Sequence, residues 1–343
     1  MQRIYRIAVL PGDGIGPEVI EVAVDVLRAL QKVVKGLSLE FIYGEAGYNC
    51  MEKYGTNLPQ KTIGILKETN ACLKGPMTTP EKPGAPPSVA VTIRKMFNLY
   101  ANIRPCRSLP GIWSLKPNID LVIVRENTEC LYFGREYEVA PGRGIALRVI
   151  TREASERVAR VAFKLAERRR NYLTCVHKRN ILRITDGIFR DAVFAVSKEF
   201  PSVHVDEDRV DAMAMRLIKE PERFDVIVTT NLYGDILSDE AAQVTGGLGL
   251  AAGANIGDNY GMFEPVHGSA PKHAGKNRAN PIATILAAKM MLDWLREYEA
   301  AKRIERAIEK VLSEKKVRTY DLGGDATTKD MGNAIIENIL EER

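Results

Sequence analysis

Near its start the chain runs Arg6-Ile-Ala-Val-Leu and then Pro11-Gly-Asp-Gly-Ile-Gly-Pro-Glu. The apolar run reads as a buried strand, and residues 18–35 read as a helix. Strand, glycine turn and helix in succession point to an α/β protein, yet the spacing excludes its commonest dinucleotide-binding version. Gly12, Gly14 and Gly16 leave Pro17 where the third glycine of G-x-G-x-x-G belongs. Three missing Cβ atoms still mark a tight turn or a close backbone approach. The turn is therefore read as structural, beside a ligand cleft, and not as a pyrophosphate loop.

Further strands are expected over 39–43, 71–74, 100–105, 121–129, 173–178, 203–206 and 225–230. Helices are expected over 61–68, 152–170, 185–199, 209–218 and 282–297, with another following Ser88 as its N-cap. Residues 81–87 form a proline-rich loop, and residues 136–150 alternate around Pro141-Gly-Arg-Gly as an extended hairpin arm. No period of 20–50 residues repeats, which excludes a solenoid.

A chain of 343 residues can bury a large core, with a length prior of about two domains. No run of 18 apolar residues and no signal-peptide pattern is present, so a cytoplasmic protein is expected. Five scattered cysteines without C-x-x-C argue against a zinc site or disulfide framework and fit a reducing compartment. Arg168-Arg-Arg ends a helical segment, where basic residues suit the dipole, and no aromatic interleaving supports nucleic-acid binding. A modest net charge of +5, if concentrated near a cleft, would draw small polyanions.

The chemistry-bearing residues are scattered. Asn231-Leu-Tyr-Gly-Asp-Ile-Leu-Ser-Asp follows the strand at 225–230, and on a helix Asp235 and Asp239 share one face. Taken alone, the pair reads first as a solvated acidic helix start, and second as oxygen ligands for Mg²⁺ or Mn²⁺. Arg94, Arg104 and Arg125 lie on three separate elements; together they would clamp a di- or tricarboxylate. Lys178 ends a strand and is a proton-transfer candidate if it faces a cleft. Asp211 is otherwise explained as favourable charge at a helix N-terminus. The loop from Phe263 to Gly275, rich in small residues and imidazoles before a helix, suits phosphates and an adenine ring.

Tyr100-Ala-Asn-Ile-Arg-Pro, Val124-Arg-Glu-Asn-Thr-Glu, His177-Lys-x-Asn180, Asn231-Leu-Tyr-Gly-Asp-Ile-Leu-Ser-Asp and Glu264-Pro-Val-His-Gly-Ser-Ala-Pro stand in this order. In them the chain resembles the β-decarboxylating dehydrogenases, the isocitrate, homoisocitrate and 3-isopropylmalate enzymes, over essentially its whole length. The resemblance implies an open mixed-sheet α/β fold unlike the Rossmann type. It implies two domains, 1–99 plus 247–343 and 100–246, with 136–150 as a dimer clasp arm. It implies a homodimer, or dimers paired into a tetramer, with active sites shared between subunits. Asp235 and Asp239 match the metal ligands, and Asp211 the ligand given by the partner. Arg94, Arg104 and Arg125 match the carboxylate clamp. Tyr132 and Lys178 match the catalytic pair, Lys178 relaying the hydroxyl proton and Tyr132 delivering one to C3. Cofactor contacts fall at Met77, Thr78, Thr79, Asn180, Glu264, His267, Gly268, Ser269, Ala270, Asn280 and Asp321.

Substrate and cofactor choice rest on fewer positions. Ser88 stands where isocitrate enzymes keep a serine for the distal carboxylate, while Ala90 replaces their usual asparagine. Isopropylmalate enzymes carry bulky leucines at Ala90 and Val91, and some homoisocitrate enzymes an arginine at Val91. A polar Ser88 above a small Ala90 points to isocitrate, homoisocitrate or both, with 3-isopropylmalate as the alternative. Lys272, His273 and Tyr320 resemble the NADP pattern, and Gly324 departs from it, so NADP is favoured over NAD. A non-catalytic regulatory subunit would have lost one of Tyr132, Lys178, Asp211, Asp235 or Asp239; all five are present.

Overall fold

A computed structural model describes residues 3–81 and 84–342. Met1 and Gln2, Lys82 and Pro83 of the expected proline-rich loop, and Arg343 lie outside the described residues. The chain opens with β1 (Arg3–Leu10), α1 (Gly16–Val33), β2 (Leu37–Tyr43), α2 (Cys50–Tyr54), α3 (Gln60–Lys67), β3 (Ala71–Lys74) and α4 (Val89–Met96). Its middle holds β4 (Ala101–Arg107), β5 (Asp120–Glu126), β6 (Glu136–Ala140), β7 (Arg143–Ala146), α5 (Arg152–Glu167), β8 (Tyr172–His177) and α6 (Thr185–Val196). β9 (His204–Arg209), α7 (Val210–Lys219), β10 (Val226–Thr229) and α8 (Asn231–Val244) follow. The last hundred residues give β11 (Ala252–Ile256), β12 (Gly261–Pro265), α9 (Ile282–Trp294), α10 (Tyr298–Glu314) and α11 (Thr328–Glu341).

One sheet of ten strands runs β2-β1-β3-β12-β11-β4-β5-β10-β8-β9. Both flanks are parallel, and the antiparallel pairs β12/β11, β11/β4 and β4/β5 sit together at the centre. Parallel strands buried on both faces need helices on both sides. Here α1, α9, α10 and α11 cover one face of β1, β3 and β12, with Val26, Leu27, Ile285, Ile304 and Ile335 in that core. Leu66 of α3 and Ile93 of α4 cover the other face. Beyond the centre, α5 and α6 bring Val158, Phe163 and Phe189 to one side, and α7 and α8 bring Leu217 and Leu237 to the other.

α1 begins at Gly16, ahead of the expected residue 18, because Pro17 has the φ that the first helical position requires and lacks only an N–H that would be unpaired. Ser88 does occupy the N-cap of α4, but its hydroxyl makes no capping bond. β11 and β12 were not legible as strands. Ala252-Gly-Ala-Asn-Ile and Gly261-Met-Phe-Glu-Pro are glycine-punctuated and fully interior, so neither alternation nor β-branching marks them. β6 and β7 pair only with each other, and nearly every residue in them is exposed. Arg169 and Arg170, far from forming a free basic patch, bind Asp225 and Asp120. No helix of the described residues is long and apolar enough to cross a membrane.

Candidate active site

The glycine turn after β1 acts as an anchor. Asp13 is buried, and its carboxylate accepts backbone N–H bonds from Tyr48 (2.8 Å), Asn49 (3.2 Å) and Thr78 (2.9 Å). Ile15 donates its N–H to the Ser269 carbonyl at 2.9 Å, and Thr78 Oγ1 meets Ser269 Oγ at 2.7 Å. Gly14 has φ of +60°, and a Cβ there would stand 1.9 Å from the Ser269 carbonyl oxygen. The turn thus clasps the two loops holding Met77–Thr79 and His267–Ala270.

At the opposite wall, β4, β5 and α8 gather arginines and carboxylates. Arg104 Nη1 reaches Asp239 Oδ1 at 3.1 Å and its Nη2 lies 3.3 Å from Asp235 Oδ1. Arg125 ion-pairs with Asp235 and donates to Asn231 Oδ1. Gly234 permits this approach, since a Cβ there would sit 2.7 Å from the Arg125 side chain. The Tyr132 hydroxyl donates to the other Asp235 oxygen, and its ring lies 4.9 Å from the Arg125 guanidinium carbon. Burial, with Arg104 and Arg94 nearby, pulls Arg125 down to about 10. Burial alone would push Asp235 up, but Arg125 and Arg104 hold it below the usual carboxylate range. Asp239 is pushed up, by burial first and by Asp235, against Arg104. Two half-open carboxylates one helical turn apart are suitable oxygen donors for Mg²⁺ or Mn²⁺.

Arg94, from α4, completes the cationic wall through a different carboxylate. Glu264 is buried between Lys74 Nζ (2.7 Å) and Arg94 Nη2 (3.1 Å), and accepts from Asn255 at 2.8 Å. Those cations hold it far below the usual carboxylate range despite burial. Its oxygens are engaged in placing Lys74 and Arg94, so it supports the cleft from beneath. Lys74, Met77, Ala90, Arg94, Asn102, Arg104, His267 and Gly268 help to line a cavity of about 190 Å³. Ser88 and Val91 lie outside that lining. His267 is driven toward its neutral form, mainly by burial, and its Nε2 is buried without a partner. An orphaned imidazole nitrogen facing a polar cleft is a place for a ligand group.

Farther along the same loop, His273 stacks on Tyr320 with ring centroids 5.5 Å apart and planes 8° apart, and the Arg278 guanidinium carbon lies 5.5 Å from the Tyr320 centroid. Asn280 donates to Asp321 at 2.9 Å. Lys272, His273 and Arg278 give this corner three basic side chains.

Three expected residues stand apart. Lys178 Nζ pairs with Asp211 Oδ1 at 2.5 Å, and neither bonds to Tyr132, Asp235 or Asp239. Asn180 is exposed beside Lys178. Among the described residues, no group of three or more His, Cys, Asp or Glu is placed to hold a metal ion. One chain therefore presents two carboxylates toward the arginines and the third on a different surface.

Sequence reading missed Asp13, Lys74, Asn231 and Arg278. Only Lys74 carried a signal: a lysine closing the apolar run Ala71-Cys-Leu, inside which a charge needs a partner.

The isocitrate/isopropylmalate dehydrogenase family matches residues 6–335. The 3-isopropylmalate/3-methylmalate dehydrogenase of Methanocaldococcus jannaschii is 46% identical, covering 99% of this chain and 100% of that protein. The isocitrate/homoisocitrate dehydrogenase of Thermus thermophilus is 51% identical, covering 97% and 98%. The crystal structure of isocitrate dehydrogenase from Methylococcus capsulatus superposes with a TM-score of 0.93 at 44% identity, covering 98% of this chain and 100% of that one. Matched across nearly its full length in both sequence and fold, this chain belongs to the isocitrate/isopropylmalate dehydrogenase family, whose members are β-decarboxylating oxidoreductases that generally use NAD(P) and Mg²⁺ or Mn²⁺.

Proposed function

We propose that this enzyme oxidises and decarboxylates isocitrate, homoisocitrate or both, with NADP favoured over NAD, as a homodimer. The observation that carries the substrate class is the convergence of Arg94, Arg104 and Arg125 on one cleft beside a cavity lined by the small Ala90. Three guanidinium groups fit a substrate with several carboxylates better than a neutral one. Asp235 and Asp239 of one copy, with Asp211 of the partner subunit, would hold the divalent ion. When bound, such an ion acidifies the substrate hydroxyl and polarises the ketone that follows. Lys178 receives the hydroxyl proton and Tyr132 gives one to C3; the Tyr132 phenol, pushed up by burial and by its bond to Asp235, acts by placement more than acidity.

A shared site is supported by what surrounds Lys178 and Asp211. Asp211, Met215 and Ile218 occupy positions i, i+4 and i+7 of α7, one face, and both apolar members are exposed. Ile181, Ile184 and Ile236 are exposed as well, as are Tyr137, Val139 and Ile145 on the arm. So much exposed apolar surface beside catalytic groups fits a second copy of the chain. The division into 1–99 plus 247–343 and 100–246 is supported by the cores: one draws on both ends of the chain, two on its middle.

The basic corner of Lys272, His273 and Arg278 supports NADP, since a 2′-phosphate needs charge-assisted donors. A second reading, 3-isopropylmalate, is favoured by the apolar Ala90 in the cavity lining and by the name of the Methanocaldococcus relative. Steady-state rates on isocitrate, homoisocitrate and 3-isopropylmalate, each with both nicotinamides, test the proposal. A higher kcat/KM on isopropylmalate would replace it with the second reading.

A further inference from the structure

Arg148 touches no residue of the cationic wall, yet its side chain is bonded to segments that carry Tyr132, Lys178 and Asp235. It stands two residues after β7, and its side chain is only 12% exposed. Nε donates to Cys130 Sγ at 3.3 Å, Nη1 to Thr185 Oγ1 at 3.0 Å and also to the Asp186 carboxylate, and Nη2 to Thr230 Oγ1 at 3.1 Å. Its guanidinium carbon lies 4.9 Å from the Tyr233 ring centroid.

Each partner leads to a different functional residue. Cys130 precedes Tyr132 by two residues and holds φ of +70°, a backbone state that side-chain-bearing residues rarely adopt. Thr230 is the N-cap residue of α8, and Tyr233 lies in its first turn, ahead of Asp235. Asp186 is fully buried, and its second oxygen accepts the backbone N–H of Lys178 at 2.5 Å. Arg148 therefore joins the loop of the phenol, the start of the carboxylate helix and the strand end that aims the lysine. The planar fork of a guanidinium allows this, because its N–H groups leave in fixed directions. A lysine, as a point charge, would keep Asp186 and lose the others.

We propose that Arg148 is a positioning residue for the reaction, setting the backbone of Tyr132, of Asp235 and of Lys178 relative to one another. The proposal rests on the catalytic reading of Tyr132 and Lys178 given above. It concerns kcat more than KM: Arg94 is held by Glu264, and Arg104 by Asp239 and Ser238 as well as by Asp235, so most of the substrate clamp keeps partners that Arg148 does not touch.

Three variants test it in the full-length protein. Arg148→Lys keeps the buried ion pair with Asp186; Arg148→Met removes it; Asp186→Asn keeps an acceptor for the Lys178 N–H. Amide hydrogen exchange followed by mass spectrometry gives a readout independent of turnover. In Arg148→Lys, peptides covering 130–135 and 230–235 should exchange at least about tenfold faster, while those covering 178–186 and the 94–104 region stay as in the parent. Arg148→Met should release all three segments. With Arg148→Lys, kcat should fall at least about tenfold with KM changed less than about threefold. Unchanged exchange at 130–135 and 230–235 would overturn the hub, as would a fall in kcat that disappears once the rate is normalised to the folded fraction. Should Arg148→Met fail to fold, Arg148→Lys still decides the matter. Full turnover in Lys178→Ala would overturn the catalytic reading and the effect on kcat with it, leaving the exchange pattern as a separate result.

Discussion

Lys178 Nζ lies 2.5 Å from Asp211 Oδ1, while the Tyr132 hydroxyl is bound to Asp235 in a separate network. Each pair joins one proton-transfer group to one expected metal ligand. If complete sites form only between copies, two inactive variants should rescue one another. Tyr132→Phe and Lys178→Met, each inactive alone, should on mixing recover about a quarter of the parent activity, because half the dimers are mixed and each has one intact site. No recovery, after unfolding and refolding the two together, would place the whole site within one chain.

Asp235 accepts from Arg125, Arg104 and Tyr132, so its replacement acts on more than an ion. Asp235→Asn keeps an acceptor oxygen for Arg125, which limits the loss of stability to about 1 kcal/mol. Turnover in the presence of Mg²⁺ or Mn²⁺ should fall at least about a hundredfold. Thermal unfolding and a metal titration of rate, run together, separate the two effects. Parent activity that survives EDTA would contradict the role of the aspartates.

Lys272 and Arg278 flank the stacked His273 and Tyr320. Lys272→Asp should raise the KM for NADP by about 10–100-fold, the worth of one charge-assisted bond, and change that for NAD much less. Arg278→Gln should act in the same direction. Equal effects on both cofactors would remove the pair from the 2′-phosphate.

Glu129 provides a pH signature in the fold itself. Burial pushes its carboxyl up to about 7, helped by Glu126 and opposed by bonds from the Thr151 N–H (2.7 Å) and hydroxyl (2.9 Å). A carboxyl whose folded pKa exceeds its unfolded value of 4.5 keeps extra protons in the folded state. Stability should therefore decline as pH rises from about 4.5 to about 7 and level off above. Glu129→Gln should remove this slope and raise stability at pH 8 by about 2 kcal/mol. Denaturant midpoints at pH 5 and pH 8 check both statements.

Much of this enzyme could be read from its residues, for a physical reason. Arg125 and Lys178 sit at or just past strand ends, Arg104 lies mid-strand in β4, and Asp235 and Asp239 share a helix face; local periodicity delivers most of them to one end of the sheet. Asp13, Lys74 and Arg148 were hidden because their roles lie in partners far along the chain. Asp13 meets Thr78, Lys74 meets Glu264, and Arg148 meets Thr230. Nothing in Pro11-Gly-Asp-Gly says which loops the carboxylate will hold. The central strands escaped likewise: β11 and β12 are specified by the neighbours they pair with, and their own composition argues for turns.

The position of β12, paired in parallel with β3 on one side and with β11 on the other, also governs the order in which the protein can be made. When the ribosome has released β1, β2 and β3, the exposed edge of β3 has no neighbour, and none arrives until residues 252–265 emerge. The middle segment, with its own cores, is free to fold in the meantime. Nascent chains that have not yet released residues 261–265 should therefore expose a sticky strand edge that holdase chaperones recognise, and chains that have released them should not.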